Sequence, residues 1–513
     1  MINYRQLLWG GAYVKSLCNL NNEAFGSIDA LQDDLLFSCF QEPEAYNALI
    51  NYSKFLAIGK KGAGKTAIFK MIIQQSDPEV FTVGYNLSDY PWHHHALQAK
   101  NDVPENEKFI QSWMYLMLIA IAKIIINEDQ SIPYDRESNI QLEVIKAFVS
   151  DTYGTLKPEI TALFTPQRKI KLSSLKAKLC QIGVELPAEV IDMPSLPLCI
   201  QEINKVLLDA VLKCIHPDHR YYICFDELDI GFETESSYYN QIIGLLRAAR
   251  KFNIAAQERS KCIGVCIFLR DDIYDVLRFE DKRKLTADCV TRIEWDSERT
   301  HYTLKDLMSK RFTAVLSENG EDVFWDDVFD GKLINGKNSK YNYIIDLTCL
   351  RPRDIIDYCN LILDYYKSHW TEIKENKLHN EDIIGAKLRY SGNLLEEFDD
   401  EVHKHIPNYG LYLRVIKKLG KSRFTTAEFI DEYNKTIENG NPEKCLEELY
   451  RFSMIGNYVV GGNSGGSQKI FKYKNARNEL NVDEPIIVHP GLVSALGIKE
   501  KKAKSKKEEL AFA

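Results

Sequence analysis

The chain has 513 residues, a formal net charge of −8, 45% hydrophobic and 27% charged residues. This length exceeds a single core and sets an expectation of about three domains. The composition excludes large-scale disorder, and the acid excess excludes a global basic field for nucleic acid, so any such contact must be local.

The first 50 residues are mixed, with helical patterning at 27–40, and Met1-Ile2-Asn3-Tyr4-Arg5 leads into polar sequence rather than a signal-peptide pattern. The stretch Phe25-Gly26-Ser27-Ile28-Asp29-Ala30 has no chemistry assignable from spacing. Residues 55–58 form an apolar run that reads as a short buried strand. It leads into Gly59-Lys60-Lys61-Gly62-Ala63-Gly64-Lys65-Thr66, which fits G-x-x-x-x-G-K-[ST] at every fixed position. The helix pattern that follows begins with Ala67-Ile68-Phe69.

Strand, loop and helix thus occur in the order that phosphate binding requires. Backbone N–H groups curl around polyphosphate, so Gly59, Gly62 and Gly64 stand where a side chain would block approach. The helix opening at Gly64 adds its unpaired N–H groups and dipole, which brings Lys61, Ala63 and Ala67 into the expected cradle. Lys65 is expected to reach the β- and γ-phosphates, and the Thr66 hydroxyl to ligate Mg²⁺. A nucleoside triphosphate and Mg²⁺ are therefore expected ligands.

A second strand is expected at 79–85. The adjacent Trp92-His93-His94-His95 reads as a polar loop, because three consecutive histidines cannot face one ion from a regular element. Residues 113–126 form the longest apolar run, interrupted by Lys123 and too short to span a bilayer, so a buried helix is expected and no membrane contact. From Asn106 to about Cys214 the pattern is mainly helical, with turns near Pro133, Pro158, Pro187 and Pro197, within the 160-residue separation of Thr66 and Asp226. It predicts a large helical insertion, about 100–215, within a P-loop domain at 51–300.

Tyr221-Tyr222-Ile223-Cys224-Phe225 then reads as a central parallel strand ending in Asp226-Glu227. Asp226 is placed to hold Mg²⁺, and Glu227 to polarise an attacking water. A further strand at 262–269 ends in Arg270-Asp271-Asp272. Lying beside the Asp226 strand, Arg270 either reads the γ-phosphate or pairs with Asp226 or Asp271.

Helical patterning resumes beyond 295 and gives a helical domain at 301–400, which the resemblance described below makes a lid. Leu350-Arg351-Pro352-Arg353-Asp354 opens one of its helices, with proline suited to the first turn. Residues 401–497 change rhythm: helices at 409–419, 426–437 and 442–455, then strands at 454–460 and 468–473. This order predicts a winged-helix domain. Between Leu411 and Arg477 there are twelve Lys/Arg against seven Asp/Glu, yet the candidate recognition helix carries Glu443, Glu447 and Glu448. Carboxylates aimed at a groove are unfavourable beside phosphates, so protein contact is slightly preferred to DNA contact. A charged tail fills 498–513. The twelve cysteines carry no C-x-x-C pair, and Cys224, Cys262, Cys266 and Cys289 sit in apolar runs, as expected of buried thiols in a reducing, cytoplasmic compartment.

Taken together, Phe25-Gly26 with Asp29-Ala30, the 59–67 loop, Phe225-Asp226-Glu227-Leu228-Asp229, Phe268-Leu269-Arg270-Asp271-Asp272-Ile273-Tyr274 and Arg351-Pro352-Arg353-Asp354 resemble a family of bacterial P-loop ATPases. The later Phe452-Ser453-Met454-Ile455-Gly456 and His489-Pro490-Gly491-Leu492 fit it too, so the resemblance runs over nearly the whole chain. More distantly the chain resembles STAND and AAA+ ATPases, including origin-recognition-type initiators with a winged helix after the lid.

The resemblance implies an α/β P-loop NTPase fold and ATP hydrolysis, and by analogy an antiphage or conflict role beside an effector protein. It equates Arg270 with the sensor 1 position, usually a small polar residue, and makes Arg353 a sensor 2 candidate; the bland reading of Arg353 is a surface arginine on a capped helix. It also implies a homo-oligomer completed by an arginine in trans, with Arg278, Arg283, Arg292 and Arg311 as unranked candidates. An ATP-regulated DNA-binding initiator with little turnover, contacting DNA through 411–477, is the alternative.

Overall fold

The computed structural model describes residues 14–87, 105–163, 196–228, 236–296, 303–403, 405–406, 408–461, 467–475 and 477–499. The 92–95 histidine stretch, Asp229, residues 164–195 of the insertion, the 462–466 turn and the tail from 500 lie outside them. The chain forms two compact units. The first comprises 1–41, 61–63 and 294–513; the second comprises 42–60 and 64–293.

The second unit is built on a five-stranded sheet in the order β2-β3-β4-β1-β5. Its strands are β1 (Leu56–Gly59), β2 (Val80–Asn86), β3 (Arg220–Asp226), β4 (Ile263–Arg270) and β5 (Val290–Arg292), and every pairing is parallel. Their sequences explain the topology. Every residue of β1 and β4 is buried, as is every residue of β3 after Arg220, which is the signature of strands covered on both faces. The register sets Gly59 opposite Arg270 and Asn86 opposite Asp226, so the strands end together on one carboxyl edge, where open α/β sheets bind ligands. This order fits a P-loop NTPase sheet, with β4 between the loop strand and the Asp226 strand. β5 was not anticipated, because its three residues, only partly buried, are too short to make a pattern.

The insertion helices are Glu105–Asn127, Arg136–Tyr153 and Leu196–Cys214. Glu105–Asn127 packs against both others and against helix Ser236–Glu258. Gly244 permits that approach: a Cβ there would lie 2.4 Å from the Phe109 Cβ. Trp113 adds a hydrogen bond from Nε1 to the Gln241 carbonyl (3.0 Å). The apolar segment is longer than the 113–126 run implies. Among the described residues, Phe109–Asn127 is long and apolar enough to cross a membrane by length and composition, but 83% of it is buried in protein.

In the first unit, the expected helical pattern at 27–40 is not realised. Only Leu36–Cys39 is helical there, because short polar side chains capture the backbone upstream. The Ser27 and Leu31 amides donate to Asp33 and Asp29 respectively, and the Asp29 amide to the Ser27 hydroxyl. The segment is anchored by a buried ion pair between Arg311 and Asp33 (2.6 Å), by the Arg311 bond to the Phe25 carbonyl (2.9 Å), and by Asn360, which brackets Phe25 N and Gly26 O.

The helices Leu304–Leu316, Pro352–Ser368 and Asn380–Val402 dominate the middle of this unit. Helices Tyr409–Leu419, Thr426–Thr436 and Pro442–Arg451 follow, with an antiparallel sheet ordered β6-β9-β7-β8. Its strands are β6 (Arg423–Phe424), β7 (Ile455–Val459), β8 (Gln468–Ile470) and β9 (Ile486–Val488). The third helix stops at Arg451 rather than 455, since Ser453 takes a left-handed φ of 62° and turns the chain into β7.

Candidate nucleotide-binding site

The loop after β1 relies on glycine at two left-handed positions, Gly62 (φ 76°) and Gly64 (φ 101°). At Gly64 a Cβ would meet nothing within 4 Å, so the backbone conformation alone demands glycine; at Gly62 it would also press on the Arg353 Cβ at 3.1 Å. Gly64 is the N-cap of helix Lys65–Ile73 and supplies no side-chain cap, which leaves the N-terminal turn chemically suited to an anion. Lys65 Nζ folds back onto the carbonyls of Gly59 (2.9 Å) and Lys60 (2.8 Å). The ammonium is thus held over the loop mouth.

Asp226 ends β3 and is 2% exposed. Burial pushes its carboxyl up from an ordinary 3.8 to about 6, against the Thr66 hydroxyl hydrogen bond, the Glu227 backbone N–H and the Lys65 charge. Among the described residues its Oδ2 has no hydrogen-bond partner. A buried carboxylate oxygen with nothing to bind, beside a threonine hydroxyl, is a donor set that suits a hard divalent cation. Glu227 follows with a left-handed φ of 57°, a backbone strain of the sort stored at functional sites.

Arg270 is 8% exposed, and Asp272 takes its guanidinium bidentately through Nε (3.0 Å) and Nη2 (2.7 Å). Asp272 is neither of the two partners expected from sequence. The Asp271 carboxylate instead accepts from the Asp272 amide (2.9 Å).

Lys61, Gly62, Ala63 and Arg353 belong to the first unit. Trp295 Nε1 donates to the Ala63 carbonyl (3.0 Å). Arg353 gives Nη1 to both Glu397 oxygens (3.2 and 3.1 Å) and Nε to the Ile28 carbonyl (3.3 Å). Sequence reasoning missed Glu397 and Arg351. Arg351 is 3% exposed, is paired with Asp354 and Glu401, and donates to the Lys61 carbonyl (3.3 Å). Arg351 stood in the sequence only as part of the Arg351-Pro352-Arg353-Asp354 motif, with no role assigned to it. Among the four trans-arginine candidates, Arg311 is buried against Asp33, whereas Arg278, Arg283 and Arg292 are exposed.

Residues 302–399 match the family model of the FunZ-associated C-terminal helical domain. The chain is 23% identical to the putative transposon gamma-delta 80.3 kDa protein of Escherichia coli K12, over 91% of this chain and 66% of that protein. It therefore spans just under two thirds of that relative's length. A solved structure of Cdc6p from Pyrobaculum aerophilum aligns over 91% of this chain and 96% of its own, at 11% identity and a TM-score of 0.30.

Proposed function

We propose that the chain is an ATP-binding and ATP-hydrolysing P-loop ATPase that acts as a nucleotide-dependent switch. The observation carrying this reading is Asp226, a buried carboxyl with an unpartnered oxygen, bonded to the hydroxyl of the P-loop threonine. The cradle would be Gly59, Lys61, Gly62, Ala63, Gly64, Lys65, Thr66 and Ala67. Thr66 and Asp226 would hold Mg²⁺, which would neutralise triphosphate charge. Lys65 binds the β- and γ-phosphates, Glu227 accepts the proton of the attacking water, and Arg270 and Arg353 read the γ-phosphate. Lid movement through Arg353 couples nucleotide state to the C-terminal helices and strands, whose helix-helix-helix-strand order supports a winged helix.

Steady-state ATP hydrolysis tests the proposal, with Lys65→Ala and Glu227→Gln as controls. Turnover unchanged in both variants would refute it. The resemblance to bacterial defence ATPases supports a homo-oligomer that works in a cytoplasmic antiphage or conflict system beside an effector protein. Loss of phage protection by the Lys65→Ala allele would be the corresponding cellular result.

A second reading is a DNA-bound regulator with little turnover. It is favoured by the exposed Arg414, Lys417 and Arg477 and by a relative named for a transposon. Lys469 counts against it, being tied to Asp346. A duplex-DNA gel shift abolished by reversing the three exposed charges would select it.

A further inference from the structure

We propose that Glu397 is an internal counter-anion: it pairs with Arg353 and Lys61, and its charge lowers the affinity for a nucleoside triphosphate. The inference rests on the nucleotide reading above.

All the residues concerned lie in the first unit. Glu397 stands on helix Asn380–Val402 and takes Arg353 Nη1 with both oxygens. Its Oε2 is 3.6 Å from Lys61 Nζ, which is also 2.9 Å from Asp400 Oδ2. The two acids differ in environment, with side-chain exposures of 22% for Glu397 and 66% for Asp400. Water screens Asp400, while Glu397 interacts with its cations through less solvent. Burial acts to raise the Glu397 carboxyl, but Arg353, Lys61 and Arg351 outweigh it and hold the group below the usual glutamate range. The carboxylate is therefore ionised at neutral pH.

Two of these cations belong to phosphate-binding positions. Lys61 is inside the P-loop, and Arg353 packs on Gly62 of the same loop. A carboxylate carries one negative charge where a triphosphate brings several, and guanidinium binds phosphate oxygens at least as well as carboxylate. Glu397 thus competes with phosphate oxygens for these two cations. Among the described residues, Arg353 Nη2 donates to none, so a phosphate can engage it before the Glu397 contacts break. A purely positioning role, in which Glu397 only aims Arg353, predicts the opposite sign on its removal.

The test is the Kd of the full chain for ATP and ADP, measured by fluorescent-nucleotide competition for wild type, Glu397→Gln, Glu397→Ala, Asp400→Asn and Glu397→Gln combined with Arg353→Ala. Both Glu397 variants should bind ATP about threefold to tenfold tighter at low salt, less so at high salt, with a smaller gain for ADP. Asp400→Asn should shift the Kd less than about twofold. In the Arg353→Ala background the gain from Glu397→Gln should largely disappear. Wild-type binding with unchanged or weaker binding in both Glu397 variants overturns this inference and leaves the nucleotide reading intact. Absence of nucleotide binding by wild type overturns the nucleotide reading, and this inference with it.

Discussion

Replacing Asp226 with asparagine should stabilise the nucleotide-free chain at neutral pH while abolishing the proposed Mg²⁺-dependent turnover. The wild-type carboxyl is raised from 3.8 to about 6, chiefly by burial. A group with a raised folded pKa binds protons more readily in the folded chain than in the unfolded one. Its contribution to stability is fully present below the unfolded value near 3.8 and is lost as pH rises through about 6. Two pKa units correspond to about 3 kcal/mol at pH 7.5, and the neutral amide of the Asp226→Asn variant would carry no such charge. For a unit of this size that is about 5–10 °C in Tm. The assay is thermal unfolding from pH 4.5 to 8 with a chelator and no nucleotide. The variant should exceed wild type at pH 7.5 and converge on it toward pH 4.5. A variant less stable at pH 7.5, or an offset independent of pH, would refute the reasoning, because the charge would then not be the destabilising element.

Glu227→Gln should lower kcat by about 10²–10⁴-fold while ATP binding persists, as turnover and equilibrium binding measured side by side would reveal. Arg311→Ala would strand the buried Asp33 carboxylate and should cost about 3–5 kcal/mol, measured by chemical unfolding of the first unit. His489 is fully buried and pushed down to about 3, first by burial and then by the charges of Lys474, Arg351 and Lys469. Here the unfolded chain binds the proton more readily, so stability present above about pH 6.5 should fall as pH drops toward 3. His489→Asn should flatten that acid limb in a pH series of unfolding scans.

The P-loop was readable because its constraints are local. Left-handed φ at Gly62 and Gly64 and the strand–loop–helix order are encoded within about a dozen residues. Strands β1, β3 and β4 announce themselves as unbroken apolar runs, since a parallel sheet covered on both faces leaves no polar alternation. Helix Tyr409–Leu419 begins and ends where its sequence pattern does, with Gly420 at φ 66° closing it. These features follow from backbone conformation and nearest-neighbour burial, which sequence carries directly.

Tertiary structure decided what depends on partners far apart in the chain. Whether 27–40 becomes a helix turned on polar side chains and on an anchor to Arg311, 278 residues from Asp33. The partner of Arg353 is Glu397, 44 residues on, and the orphaned oxygen of Asp226 exists only because packing removes water from the end of β3. Arg311 looked equivalent to Arg278 in sequence, but burial against Asp33 removes it from any exposed role. An arginine or carboxylate reads the same in sequence whether it is paired or free, because its charge is local while its dielectric surroundings and counter-ion are set by the fold.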